Sequence, residues 1–176
     1  MTKSISQKSA NGEYHSFPMA ASEANRVLTV HAVASGASAN DGNFHSSLEG
    51  FILTGLDPMV DRAVDQHDEV GSIQLESLSG DPELEPIDPC GHELLKALAV
   101  PLNDDRLRTV DALALVSGER SRSDVLRVAA WTAVTGALED PAIDVKWRAF
   151  EASRQQAAAN LRERIAAAAA PSRDQA

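Results

Sequence analysis

The chain has 176 residues, 43% of them hydrophobic but only 4% aromatic, and a formal net charge of −10. That length supports one domain with a sizeable core plus tails. No run approaches the roughly 20 apolar residues that span a bilayer, no apolar stretch follows Lys3 and Lys8 as a secretory leader requires, and the single cysteine, Cys90, excludes an internal disulfide. The expectation from these features is a cytoplasmic protein without a membrane segment.

The negative charge is local. Residues 41–95 hold thirteen acids and one base, Arg62, a net of −12, whereas residues 1–40 and 96–176 each come to +1. A solvated acidic segment is the simplest reading of such a block, and mimicry or repulsion of nucleic acid the sharper one. Four zones follow: a polar, disordered segment over 1–40; an acidic segment over 41–91 with short elements and a Pro-rich linker; a helical domain over 92–170; and a disordered tail over 171–176. The fold class expected is mainly α, with the N-terminal half poorly structured.

In chain order, residues 1–25 are Ser-rich and lack any sustained hydrophobic period, which predicts disorder. The run RVLTVHAVA over 26–34 is rich in β-branched residues and predicts a short strand. Ser35 to Asn43 is composed of loop formers. Phe51, Ile52 and Leu53 are the densest cluster of large apolar residues in this half. Asp57-Pro58 is a cap followed by a proline suited to a first helical turn, and Met59, Val60, Ala63 and Val64 behind it predict a short helix. Pro82, Pro86 and Pro89 punctuate residues 80–89, which read as an extended linker and a domain boundary.

Residues 100–138 carry the densest signals. Two helical patterns are separated by Gly118-Glu119-Arg120-Ser121, and the second opens on Ser121-Arg122-Ser123-Asp124. A serine followed three residues later by an acid, before an apolar run, is a capping-box start. Gly118 suits the left-handed position that ends many helices.

This stretch resembles a ribbon-helix-helix DNA-binding module, on Gly118, Ser121, Arg122, Ser123, Asp124 and Arg127, with Val125 and Leu126 apolar as in that family. The resemblance covers residues 97–138. It implies a homodimer whose paired strands enter the major groove, and a small regulator (a repressor, antitoxin or plasmid accessory protein) with DNA contacts from Arg120, Ser121, Arg122, Ser123 and Arg127. Arg120 and Arg122, at a helix start, suit a phosphate clamp as well as simple solvation of that start. The reading strand departs from the family: with Leu98, Val100 and Leu102 inward, the outward set is Ala97, Ala99 and Pro101, none of which reads base edges. Glu93 to Ala99 are mostly helix formers, so residues 94–102 are open to both assignments. A strand there favours the regulator, and a helix favours a second reading, a helical protein–protein interaction module without DNA binding. An alignment to the helix-turn-helix pattern fails, because Ser117, Glu119 and Asp124 fall where apolar residues are needed.

The C-terminal third predicts one long helix from Asp140-Pro141 to Pro171. Its stripe of Ile143, Trp147, Phe150, Leu161 and Ile165 recurs at helical spacing, interrupted by Arg154. Trp147 and Phe150 are expected in the core, and the stripe as a whole wants a partner, either the helical domain or another protein chain. Enzymatic activity is not expected. The five histidines show no ligand spacing; the knot of Asp61, Asp65, His67, Asp68 and Glu69 lacks the order of a calcium loop; and Cys90 beside His92 has no further support as a nucleophile. No cofactor and no metal are expected.

Overall fold

In the computed structural model, the described residues are 8–9, 12–38, 40–70, 73–87 and 94–169. The order is β1 (Lys8–Ser9), β2 (Gly12–Ala20), α1 (Ala21–Ser35), α2 (Phe44–Leu53), α3 (Leu56–Val70), a 3-10 turn (Leu75–Ser79), β3 (Leu95–Leu102), α4 (Asp104–Val116), α5 (Arg122–Leu138) and α6 (Pro141–Ala169). The protein is mainly helical with one small antiparallel sheet in the order β1-β2-β3. Cys90, His92, residues 1–7, the tail from 170 and the side chains of His67, Asp68 and Glu69 lie outside the described residues.

The two long strands of the sheet, β2 and β3, lie far apart in sequence. Phe17 pairs with Leu98, Ser16 with Ala99 and Pro18 with Ala97. Because side chains alternate across a strand, Phe17 and Met19 on β2 and Leu98, Val100 and Leu102 on β3 are buried on the helical side. Among the described residues, β1 pairs with Gly12 and Glu13 at the start of β2. Residues 94–102 are thus strand rather than helix beyond Leu94: alternating burial outweighs the helix propensity of Leu95 to Ala99.

The expectation of a poorly structured N-terminal half is corrected. Residues 12–20 are a strand, and the run over 26–34 lies within α1 and not in a strand. Ala24, Val27, Val30 and His31 are its buried positions, a spacing of three, three and one that only a helix places on one side. Phe44, Leu48, Ile52 and Leu53 of α2 and Met59 and Ala63 of α3 enter the same core cluster as Val125, Val128 and Trp147. The segment 80–87 does not separate two bodies. Leu84 is buried, Asp81 accepts a hydrogen bond from Trp131 Nε1 at 2.9 Å, and the Glu85 carbonyl accepts one from Arg127 at 2.7 Å.

α5 is the central element. Every residue from Val125 to Val134 is buried, and it packs against α1, α2, α3, α4, α6, β2 and the 3-10 turn. A helix apolar on all sides has to be enclosed. The closest approach is at Gly55, between α2 and α3, where a Cβ would lie 1.9 Å from the Ala129 carbonyl oxygen. Gly118 has φ 83° and ends α4's final turn as expected from sequence.

The order strand–helix–helix occurs twice, as β2-α1-α2 and as β3-α4-α5, and the two strands pair with each other. The expected ribbon partner was the same strand of a second copy. Here β3 pairs with β2 of the same chain.

Candidate functional site

The start of α5 is built as its sequence requires. Ser121 Oγ accepts from the Asp124 amide at 3.1 Å, and the Asp124 carboxylate accepts from the Ser121 amide, the reciprocal pair of a capping box. Asn103 caps α4 in the same manner, accepting from the Arg106 amide at 2.9 Å.

The residues expected at a DNA interface are brought to this corner, but their cations are committed to the protein itself. Arg127 is 4% exposed. Its Nε donates to Glu23 at 2.9 Å and its Nη2 donates to the same carboxylate and to the Glu85 carbonyl. Arg120 bonds Glu76 at 2.7 Å and lies 3.5 Å from Asp124. Arg122 holds Asp111 through two parallel bonds, Nε at 2.5 Å and Nη2 at 2.9 Å; that contact lowers the Asp111 pKa and raises that of Arg122. Ser123 Oγ donates to the Ser16 carbonyl at 3.4 Å.

The outward face of the ribbon follows from the register. Tyr14, Ser16, Pro18, Ala97 and Ala99 are exposed there, with no cationic side chain among them. Pro101 pairs with Tyr14 on this face but is buried there. The Tyr14 hydroxyl is bound to Glu49 of α2, and that hydrogen bond raises its pKa.

The C-terminal helix divides into a docked root and a free arm. Trp147 is 5% exposed. The Arg26 guanidinium stands 5.0 Å from the Trp131 ring centroid and 5.8 Å from that of Trp147, a cation held between two indoles that fixes α6 to α1 and α5. Ile143 is half-buried. Beyond this point the stripe leaves the body: Phe150, expected in the core, is 38% exposed and stacks on Trp147 at 6.1 Å, while Leu161 and Ile165 are 56% and 60% exposed. The reason is geometric. α6 has 29 residues, about 44 Å at 1.5 Å per residue, and it outruns the two helices that seat its first turns.

A second apolar surface had no distinct sequence signal. Val60, Ala63 and Val64 of α3 face Ala112, Leu113 and Val116 of α4 across a groove of about 370 Å³. Val64 is 61% exposed. Periodicity marks each wall as half of an amphipathic helix, but the groove exists only once α3 and α4 pack together. Among the described residues no group of His, Cys, Asp or Glu is arranged to hold a metal ion, and no helix is long and apolar enough to cross a membrane. No family model, curated protein or solved structure matches this chain.

Proposed function

We propose that this chain is a helical protein–protein interaction module whose partner-contacting element is the free arm of α6. One observation carries the reading: past Trp147 the helix continues with Phe150, Leu161 and Ile165 on an exposed stripe. Large apolar residues grouped along one helix face and left in water mark an interaction surface. The single cysteine fits a reducing, cytoplasmic setting.

Residues 95–102 form the strand that the DNA-regulator reading calls for, but that reading draws less support from its side chains. Its base-reading positions are Ser16, Pro18, Ala97 and Ala99, which lack the forked donors and acceptors of base readout. Its arginines at 120, 122 and 127 are held in ion pairs, and freeing any of them for a phosphate first breaks an internal bond.

A photo-crosslinking side chain placed at Leu161 tests the proposal in cells, with the exposed body position His45 as control. A covalent adduct to a protein chain is expected at 161 and not at 45. No adduct at 161 overturns the interaction reading. In parallel, titration of a DNA duplex at two salt concentrations should show no salt-dependent binding; affinity that falls steeply with salt would restore the regulator.

A further inference from the structure

The groove between α3 and α4 and the arm of α6 are complementary in shape, length and charge. The groove floor is apolar, and its walls run along helices of 15 and 13 residues, about 20 Å of helix. Along α3, Asp57, Asp61 and Asp65 recur every four residues and flank Val60 and Val64, and all three carboxylates are exposed. At the α4 end, Asp105 sits one turn before Thr109 on the groove row, in an exposed pair with Arg108. The rim is therefore predominantly negative.

The arm carries the opposite sign. Arg154 interrupts the Phe150–Leu161–Ile165 stripe, Arg162 and Arg164 border it on either side, and Glu163 falls on the far face. Residues 1–140 hold ten bases against twenty-two acids, a net of −12, whereas the arm from Phe150 to Ala169 holds Arg154, Arg162 and Arg164 against Glu151 and Glu163, a net of +1. From Phe150 to Ala169 the arm offers about 30 Å of helix, enough to cover the groove. An apolar recess between α2 and the sheet has both Lys96 and Glu49 on its lining and so shows no such preference in sign.

We infer that the α6 arm of one copy docks in the α3–α4 groove of a second copy, with Leu161 and Ile165 against Val60, Val64 and Val116, and the arm's arginines beside the row of aspartates. The contact is between unlike surfaces, and each copy carries both. Reciprocal exchange of arms closes a twofold dimer, whereas one-way docking propagates into chains. This inference rests on the arm being a protein-binding element and names its partner.

Sedimentation equilibrium of the purified full chain tests it. Wild type is expected to associate in the micromolar range and to weaken as salt rises, because the flanking pairs are solvent-exposed. Val64→Asp in the groove and Leu161→Asp in the arm should each weaken association by about tenfold or more, since each buries an unpaired charge in the contact. Both positions are exposed in the single molecule, so unchanged thermal melting should accompany the loss. Mixing the two variants restores one intact arm–groove pair per dimer and should recover association that neither shows alone. The double reversal Asp61→Arg with Asp65→Arg should weaken binding a few-fold, and pairing it with an Arg162→Glu, Arg164→Glu chain should recover it. A wild type that stays monomeric at about a hundred times micromolar concentration overturns the inference. So does association lost with Leu161→Asp but indifferent to Val64→Asp, which would pair arm with arm. A crosslink from position 161 to a different protein, with the purified chain monomeric, overturns self-docking and leaves the interaction reading standing; absence of any crosslink overturns both.

Discussion

The Arg127 guanidinium is enclosed against the Glu23 carboxylate, although the two residues stand 104 positions apart in the chain. Their side chains are 5% and 15% exposed, and the Glu85 carbonyl takes a further guanidinium bond. The pair ties the central helix to α1 and to the segment 80–87. Removing one partner strands the other charge away from water, which costs about 3–5 kcal/mol. Arg127→Ala should lower stability by that amount in urea denaturation, and Glu23→Ala should act non-additively with it in a double-mutant cycle. Additive losses would mean that the two groups do not act as a pair.

At the start of α5, Ser121→Ala removes the oxygen that accepts from the Asp124 amide. A loss of about 0.5–2 kcal/mol is expected. An unchanged denaturation midpoint would deny the cap any energetic role.

Trp147 and Phe150 stack on each other but differ in burial, at 5% and 38% exposed. Trp147→Ala opens a cavity beside Arg26 and Trp131 and should cost about 3–5 kcal/mol. Phe150→Ala should cost about 1 kcal/mol or less in the single molecule, because much of its ring already faces water. Equal losses would place the root of α6 further along the helix.

Gly55 lies where the α2–α3 turn meets the backbone of α5. The added methyl of Gly55→Ala would overlap the Ala129 carbonyl, and backbone on one side leaves little room to yield. The expected loss is about 1–3 kcal/mol or more, read as a drop in thermal midpoint. Gly136→Ala, in the last turn of α5, has nothing within 4 Å of the new methyl and should be neutral or stabilising.

His31 is buried between the rings of Phe44 and Phe51, at centroid distances of 5.0 and 5.3 Å, with Nε2 3.0 Å from Ser47 Oγ. Desolvation lowers its pKa below 6.5, against a smaller upward effect from the Phe44 backbone. The unfolded chain therefore binds the proton more readily, and folding is favoured by the neutral ring. Stability from this group is present above the unfolded value of 6.5 and declines as pH falls through and below it. The difference in unfolding free energy between wild type and His31→Gln should shrink from pH 7.5 to about pH 5; a difference independent of pH would show that the ring does not titrate against its burial.

Local chemistry made several elements legible from sequence. The capping box at Ser121 and Asp124, the left-handed Gly118 and the long helix opened by Pro141 all rest on interactions within a few residues, so the chain carries them wherever it folds. The alternation of Leu98, Val100 and Leu102 likewise foreshadowed the inward face of β3, although the helix formers before it left the assignment open. The strand over 12–20 is not legible from sequence, because its alternation contains Tyr14, Pro18 and short polar residues and shows little hydrophobic contrast.

What local pattern did not contain was the pairing of distant parts. β2 meets β3 across some eighty residues of chain, Glu23 meets Arg127, and Arg26 enters between Trp131 and Trp147; none of these partners is visible from the sequence around the other. The sequence around an arginine at a helix start does not show which carboxylate it meets, and only the folded chain brings Asp111 to Arg122 and Glu76 to Arg120. The same holds for α6. Its hydrophobic period runs from Ile143 to Ile165 with Arg154 as an interruption, but α1 and α5 seat it around Trp147, so one stripe becomes core at Trp147 and open surface at Leu161. Periodicity depends on residue type along the chain, whereas burial depends on what stands opposite.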